Sequence, residues 1–377
     1  MATVHELDLN ESPSFSSEWE DLLERAGNAS IFLTWEWLMT WWEVFGKCHE
    51  SRWLVVKGAR GKWMAGAPFY LRRTRSGLLP ARRELRFIGT GASVSPEHLD
   101  LVVDPLHQTE ALEALQDYFV GHFSDWDVLE LTDITRPEAD AFWFSEALLN
   151  RGATVLVEEQ KPAAPTIFLP DSWEEYFESL KPRMRTQVAR YRRKVAGELG
   201  ARTYLWSPQH GNLEAALWEF ENLFADRKMS VGIGNKFDSA PGYRKFHHLL
   251  ADRFAKRGWL WLAFLKSPKE TLACEYLYQY QKTLYSYQSG FASKAAKQNV
   301  FKVLRGWVIE KAIWQGLTEF DLLRGEETYK FDWNAQSRRK QKIRCFSPNF
   351  NGRALYGATR LKRWGSRVRE MLAGAGN

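Results

Sequence analysis

Cysteine is scarce. The 377-residue chain has three, Cys48, Cys274 and Cys345, odd in number and far apart, so it supports neither a disulfide framework nor a thiolate metal site. Long apolar runs are missing too, and without about eighteen apolar residues in succession no spanning helix is expected. The segment 1–15 carries acids and no apolar centre, so the expectation is no secretory signal and a cytoplasmic protein. His247 and His248 are adjacent rather than one helical turn apart, so their side chains diverge and no metal pair is expected. No serine, cysteine or histidine arrangement supports a covalent route, and Cys274 reads as strand core. The loop Gly89–Ser93 follows a strand but runs on to Pro96 instead of a helix, which excludes a dinucleotide fingerprint.

Tryptophan, by contrast, is abundant at 18 copies. Most such rings fill cores, but Trp35, Trp37, Trp41 and Trp42 crowd one short helix, and Trp37 is the candidate for a ring exposed to substrate. The net charge of +6 is uneven. Eleven basic residues and no acid lie between Arg338 and Arg369, leaving the remainder of the chain at −5. A basic tail on a slightly acidic body suits a polyanion, an anionic lipid surface or a phosphorylated ligand, or is a plain solvated tail.

The length exceeds what one core normally holds and points to two domains. Ser17 and Glu20 form a capping-box pattern ahead of a first helix, and a second covers Thr34–Phe45. Strands follow at 53–57, 63–73 and 85–88; helices at 107–120 and 137–150 bracket a strand at 127–134, and a strand at 153–158 closes this half. Lys161–Pro165, KPAAP, reads as the linker, giving domains 1–162 and 163–346 and a basic amphipathic segment 347–377. Ser172 and Glu175 form a second capping box. In the next helix, Met184, Val188, Tyr191 and Val195 make one apolar stripe, and Arg185 and Arg190 belong to the cationic remainder. This helix is a rim that gathers phosphate, a nucleic-acid contact without a recognisable motif, or a solvated face. Helices at 212–228 and 241–257, strands at 259–265, 272–280 and 283–290, a helix over 300–315 and a strand at 319–323 complete an α+β pattern with a mixed twisted sheet.

Residues 296–333 change period twice: a helix ends at Gly316, an alternating segment leads into Arg324-Gly325, and a second extended segment carries Tyr329 and Lys330. Asp321, Glu326, Glu327 and Lys330 stand among apolar neighbours, so they are expected in a cleft, in pairs, or in chemistry. Toward the C-terminus, Leu361, Trp364, Val368 and Leu372 recur at helical spacing among arginines and lysines. That pattern suits an amphipathic helix lying on the inner membrane face or docked on the body.

Phe32–Trp37, the segment LKPRMRTQVARYRRKV, the meander ending in TLYSYQSGF and above all GLTEFDLLRGEETYKFDW resemble the CelD/BcsL-type branch of the GNAT acyltransferase superfamily. That branch is similar in turn to the Fem-type peptidoglycan aminoacyltransferases. The resemblance spans Phe15 to Cys345. It implies two GNAT-like domains and transfer of an acyl group, acetyl from acetyl-CoA foremost, to an amine or hydroxyl of a sugar-containing, phosphorylated or lipid-linked precursor in exopolysaccharide or cell-envelope synthesis. It also implies Lys330 as the cation beside the reacting carbonyl, Asp321 as the strand-end acid that accepts or orients the proton, and Glu327 as the second candidate base. Arg185, Arg190, Arg324 and Tyr329, with Trp37, are then substrate contacts. Where the branch has a Ser-Pro-Gly-like phosphate loop, this chain reads Ala296–Val300 without glycine or proline. Asn299 as helix cap, Val300, Lys294 and Lys297 are the expected phosphate contacts. The alternative is a non-catalytic module recognising an anionic lipid, a polysaccharide or a cyclic dinucleotide; nucleic acid ranks third.

Overall fold

The computed structural model describes residues 2–9, 15–27, 29–74 and 82–374; the side chains of 365–374, which include Val368 and Leu372, lie outside the description. Among the described residues there are thirteen strands: β1 (Thr3–Glu6), β2 (Glu50–Lys57), β3 (Trp63–Thr74), β4 (Arg82–Phe87), β5 (Val102–Val103), β6 (Val128–Ile134), β7 (Thr154–Phe168), β8 (Arg202–Leu205), β9 (Leu260–Lys266), β10 (Thr271–Tyr280), β11 (Thr283–Phe291), β12 (Glu319–Asp321) and β13 (Gln336–Phe346). The helices are α1 (Ser16–Arg25), α2 (Trp35–Phe45), α3 (Gln108–Gly121), α4 (Asp140–Asn150), α5 (Trp173–Ser179), α6 (Pro182–Leu199), α7 (Leu213–Ser230), α8 (Lys236–Ser239), α9 (Tyr243–Lys256), α10 (Val300–Trp314), α11 (Thr328–Phe331) and α12 (Phe350–Gly374). Among the described residues no helix is long and apolar enough to cross a membrane.

The chain divides into two compact units. The first comprises Met1–Gln160 with Lys340–Asn377, the second Lys161–Arg339. The division falls one residue before Pro162, but KPAAP is no linker: it lies inside the fifteen-residue strand β7. Proline is tolerated there because Ala163 and Pro165 still engage neighbouring backbone, Pro165 O accepting from Leu322 N at 2.9 Å and Ala163 O from Gly325 N at 3.1 Å. The second unit ends at Arg339, and the chain returns to the first, where the sequence pattern had carried the second domain on to 346.

In the first unit the strand order is β1-β2-β3-β4-β6-β13, with β5 on β3; β4 and β6 run parallel and the other pairs antiparallel. Helix α1 opens at Ser16 without a side-chain cap, because Ser17 Oγ donates to Glu18 instead of serving the helix amides. Asp100 and Asp104, undecided by pattern, are structural. Asp100 accepts from the Asp140 and Ala141 amides that open α4, and Asp104 accepts from Leu106 N and pairs with Arg25. One buried ion cluster deserves its burial because every member is paired: Lys340 Nζ lies 2.9 Å from Glu97 and 3.2 Å from Asp133.

In the second unit the order is β7-β12-β11-β10-β9-β8, with β11 and β12 parallel. A parallel pair needs a crossover, and α10 supplies it. Successive residues of β10 show the two faces: Glu275 meets Arg305 of α10, whereas Tyr276 meets Phe220 of α7 and His247 of α9. Helix α6 packs on α10 through Met184, Val188 and Val195, as its stripe predicts, and Ser172 accepts from Glu175 N at 3.2 Å to cap α5.

Gly290 sets how closely α7 approaches β11. A Cβ there would lie 2.4 Å from Phe224 N and 2.5 Å from Leu223 C, both helix backbone. Gly290→Ala is therefore expected to lower stability by about 3 kcal/mol in urea unfolding. A change under about 0.5 kcal/mol would mean that α7 shifts freely.

Candidate active site

β11 outlasts its parallel neighbour. Pairing with β12 stops at Tyr285 opposite Asp321, so among the described residues Ser286–Phe291 keeps only β10 as a strand partner. The register between β10 and β11 also slips: Tyr276 faces Gln288 and Leu277 faces Ser286, which leaves Tyr287 without an opposite residue. A bulge of this kind bends a strand and re-aims its groups. β12 ends at Asp321 while β11 continues to Phe291, and a short 3-10 turn, Ser293–Gln298, leads from there into α10.

A cleft of about 270 Å³ lies at the end of β11 and the start of α10, lined by Phe291, Asn299, Val300 and Phe301, by Met184 of α6, and by Tyr329 and Trp333 at α11. The first-turn amides of α10 have no acceptor within the helix and give its start a partial positive charge. Asn299 takes a left-handed conformation, φ 54°, and caps the helix with backbone only; its side chain makes no cap bond, contrary to expectation. Lys294 is exposed and paired with Glu270 at 2.6 Å, and Lys297 is exposed. Lys302, missed by sequence reasoning, also lines the cleft and donates to Gln187 Oε1 at 2.6 Å. Burial pushes its ammonium below the usual lysine range, Asp332 opposing the shift. One acid stands at the same loop, where Asp226 Oδ2 accepts from Ser293 N at 2.9 Å.

Lys330 occupies a different place from the one its neighbourhood suggests. Tyr329-Lys330 is no extended segment but the centre of the short helix α11, whose turn sends the two side chains in different directions. Tyr329 reaches the cleft; Lys330 is 4% exposed. Its Nζ donates to four successive carbonyls, Leu322 and Leu323 at 3.0 and 3.1 Å and Arg324 and Gly325 at 3.0 Å each, and lies 3.2 Å from Glu327 Oε2. The left-handed Leu323, φ 52°, and Gly325, φ 120°, curl the loop so that these oxygens converge. An ammonium has three protons, so this one has none left for a substrate carbonyl. Burial lowers its pKa, while the carboxylate of Glu327 pulls the other way.

The remaining candidates divide between frame and lip. Asp321 is buried, accepts from Thr166 Oγ1 at 3.0 Å and Leu323 N at 2.7 Å, and holds the turn after β12. Glu327 and Arg324 are exposed on the same loop. Arg185 is half-buried and Arg190 exposed on α6, the latter with its guanidinium 5.0 Å from the Tyr191 ring. Trp37 is no substrate platform: it is fully buried in the first unit, its ring edge-on to Phe32 at 4.7 Å.

Pattern reading also missed the ion pair between β10 and α10. Arg305 Nη2 lies 2.6 Å from Glu275 Oε1 and donates to the half-buried Ser286 Oγ at 3.1 Å, and Nε donates to Glu275 Oε2 at 3.1 Å, with Arg305 and Glu275 both buried. Ser286 is the first β11 residue past the last paired rung, so this network braces the unpaired stretch. The available signal was an acid within the apolar strand LACEYLYQY and an arginine among the apolar residues of α10.

Residues 182–331 match the model of an acetyltransferase (GNAT) domain family. Among solved structures, FemX is similar with a TM-score of 0.65 at 12% identity, over 94% of this chain and 99% of that one. A conserved protein of unknown function from Bacteroides thetaiotaomicron is similar with a TM-score of 0.54 at 10% identity, over 92% and 100% of the two chains. No curated protein sequence matches. The chain thus shares the fold of FemX, and within it residues 182–331 match the GNAT acetyltransferase domain.

Proposed function

We propose that the protein is an acyltransferase whose donor site is the cleft between the start of α10 and α11. The observation that carries this reading is the cleft that joins the start of α10 to Tyr329 and Trp333 beside the unpaired end of β11. Its shape and chemistry suit a phosphate-bearing acyl thioester such as acetyl-CoA, which supplies an activated carbonyl. The amides of Val300 and its successors, with Lys297, Lys302 and Lys294 when released from Glu270, hold the phosphates. Phe291, Phe301, Tyr329 and Trp333 wall the carrier arm and exclude water.

The acceptor is an amine or hydroxyl whose nitrogen or oxygen attacks the thioester carbonyl; Glu327, the exposed carboxylate at the start of α11, takes its proton, the C–S bond breaks, and the released thiolate is protonated from solvent. Asp321 and Lys330 act as positioning residues that fix the loop carrying Glu327 and Arg324. Arg324, Arg185 and Arg190 receive an anionic acceptor, in keeping with the resemblance of FDLLRGEETYK to the CelD/BcsL-type branch and its sugar-containing envelope precursors. Both halves contain the order α-α-β-β-β-α-β, as α1-α2-β2-β3-β4-α3-β6 and, with the short α8 set aside, as α7-α9-β9-β10-β11-α10-β12, β5 being the short extra strand of the first; this supports two GNAT-like domains, the second bearing the donor.

Titration calorimetry with acetyl-CoA tests the reading. Saturable binding is expected, weakened about tenfold by Tyr329→Ala, and Glu327→Gln is expected to lower kcat about a hundredfold with little change in KM. Absence of saturable binding by any acyl-CoA removes the donor assignment, and an unchanged kcat removes Glu327 as the base.

A further inference from the structure

We infer that α12 seats the protein on an anionic phospholipid surface. The helix has two distinct sides. Gly352, Tyr356 and Arg363 recur at helical spacing and face the first unit. A Cβ on Gly352 would lie 2.1 Å from Ser347 O, the Tyr356 and Phe346 rings are 5.5 Å apart, and Arg363 Nε lies 3.2 Å from Glu158. At about 100° per residue, Phe350, Leu361 and Trp364 fall within roughly 60° of one another on the opposite side. They are 85%, 72% and 69% exposed. A phenylalanine, a leucine and a tryptophan in one solvent-facing row have no reason to be there unless an apolar phase receives them.

The flanks of that row identify the phase. Arg353 and Arg360 stand beside it, both exposed, and no acid occurs between Arg338 and Arg369. Rings and aliphatic groups enter the acyl boundary while guanidinium groups meet the phosphodiesters, a pairing that anionic lipid offers in one layer. A nucleic acid would use the arginines and leave the apolar row in water. The inference is independent of the transferase reading, since neither donor nor acceptor takes part.

The test is co-sedimentation of the full-length protein with phosphatidylcholine vesicles, with and without one third phosphatidylglycerol, in the absence of acyl-CoA. Binding to the anionic vesicles alone is expected, falling with added salt. The Leu361→Ser/Trp364→Ser double variant is expected to bind at least about tenfold more weakly, and Arg353→Gln/Arg360→Gln to lose most of the salt dependence. The serine variant should melt like the parent, because Leu361 and Trp364 face away from the unit; Arg360 also rests 5.9 Å from the Tyr356 ring, so the glutamine variant is compared with the parent after its melting curve shows it folded. No sedimentation with anionic vesicles, equal binding by the serine variant, or binding to heparin but not to vesicles would each overturn the inference.

Discussion

Lys330→Met is expected to destabilise the protein by roughly 4 kcal/mol, because the ammonium that joins four buried or part-buried carbonyls is removed and the oxygens are left facing a thioether. Urea unfolding measures the loss, and limited proteolysis should show new cleavage between 322 and 327. Any loss of transfer should follow the loss of structure. A variant that keeps full stability yet transfers nothing would return Lys330 to the side of the reacting carbonyl. The distinction is physical: a cation that binds a developing oxyanion must keep a proton free for it, and the loop 322–325 together with Glu327 takes all that Lys330 has.

The second large effect concerns acid. His247 is enclosed by Phe237, Tyr243, Phe246, Tyr276 and Tyr287, neither ring nitrogen has a hydrogen-bond partner, and burial pushes its pKa down to about 3. His248 and Lys236 add smaller repulsions in the same direction. Above the ordinary histidine value of 6.5 both the folded and the unfolded chain hold it neutral, and it adds nothing to the pH dependence. Below that value the unfolded chain binds a proton that the folded chain refuses, so stability falls as pH falls and levels off near the folded value. The slope approaches about 1.4 kcal/mol per pH unit, or roughly 3 kcal/mol by pH 4.5. His247→Leu should match the parent near pH 8 and lose less stability than it by about that amount at pH 4.5. Parallel pH profiles for the two proteins would show that the ring is solvated in the native state.

Within single elements the sequence was legible. Helices 212–228, 241–257 and 300–315 appear as Leu213–Ser230, Tyr243–Lys256 and Val300–Trp314, and the meander strands agree within a residue or two. Apolar period and capping chemistry are properties of neighbours in the chain, so they survive without knowledge of the fold. Lys161–Pro165 failed because two prolines signal a break locally, while Leu322 and Gly325, in the loop after β12, donate to Pro165 and Ala163 and carry the strand on. Trp37 failed because a ring's exposure depends on what lies over it, here Phe32.

By itself the sequence decided which face of α6 is apolar, where the basic surplus lies, and that a helix runs over 300–315. Only the tertiary structure decided that Tyr329 enters the cleft while Lys330 turns inward, that Arg305 finds Glu275, and that β11 runs past the end of β12. Periodicity reports a side chain's direction relative to its own element. The atom it meets is chosen by long-range packing, which brings together residues such as Arg305 and Glu275 from separate elements.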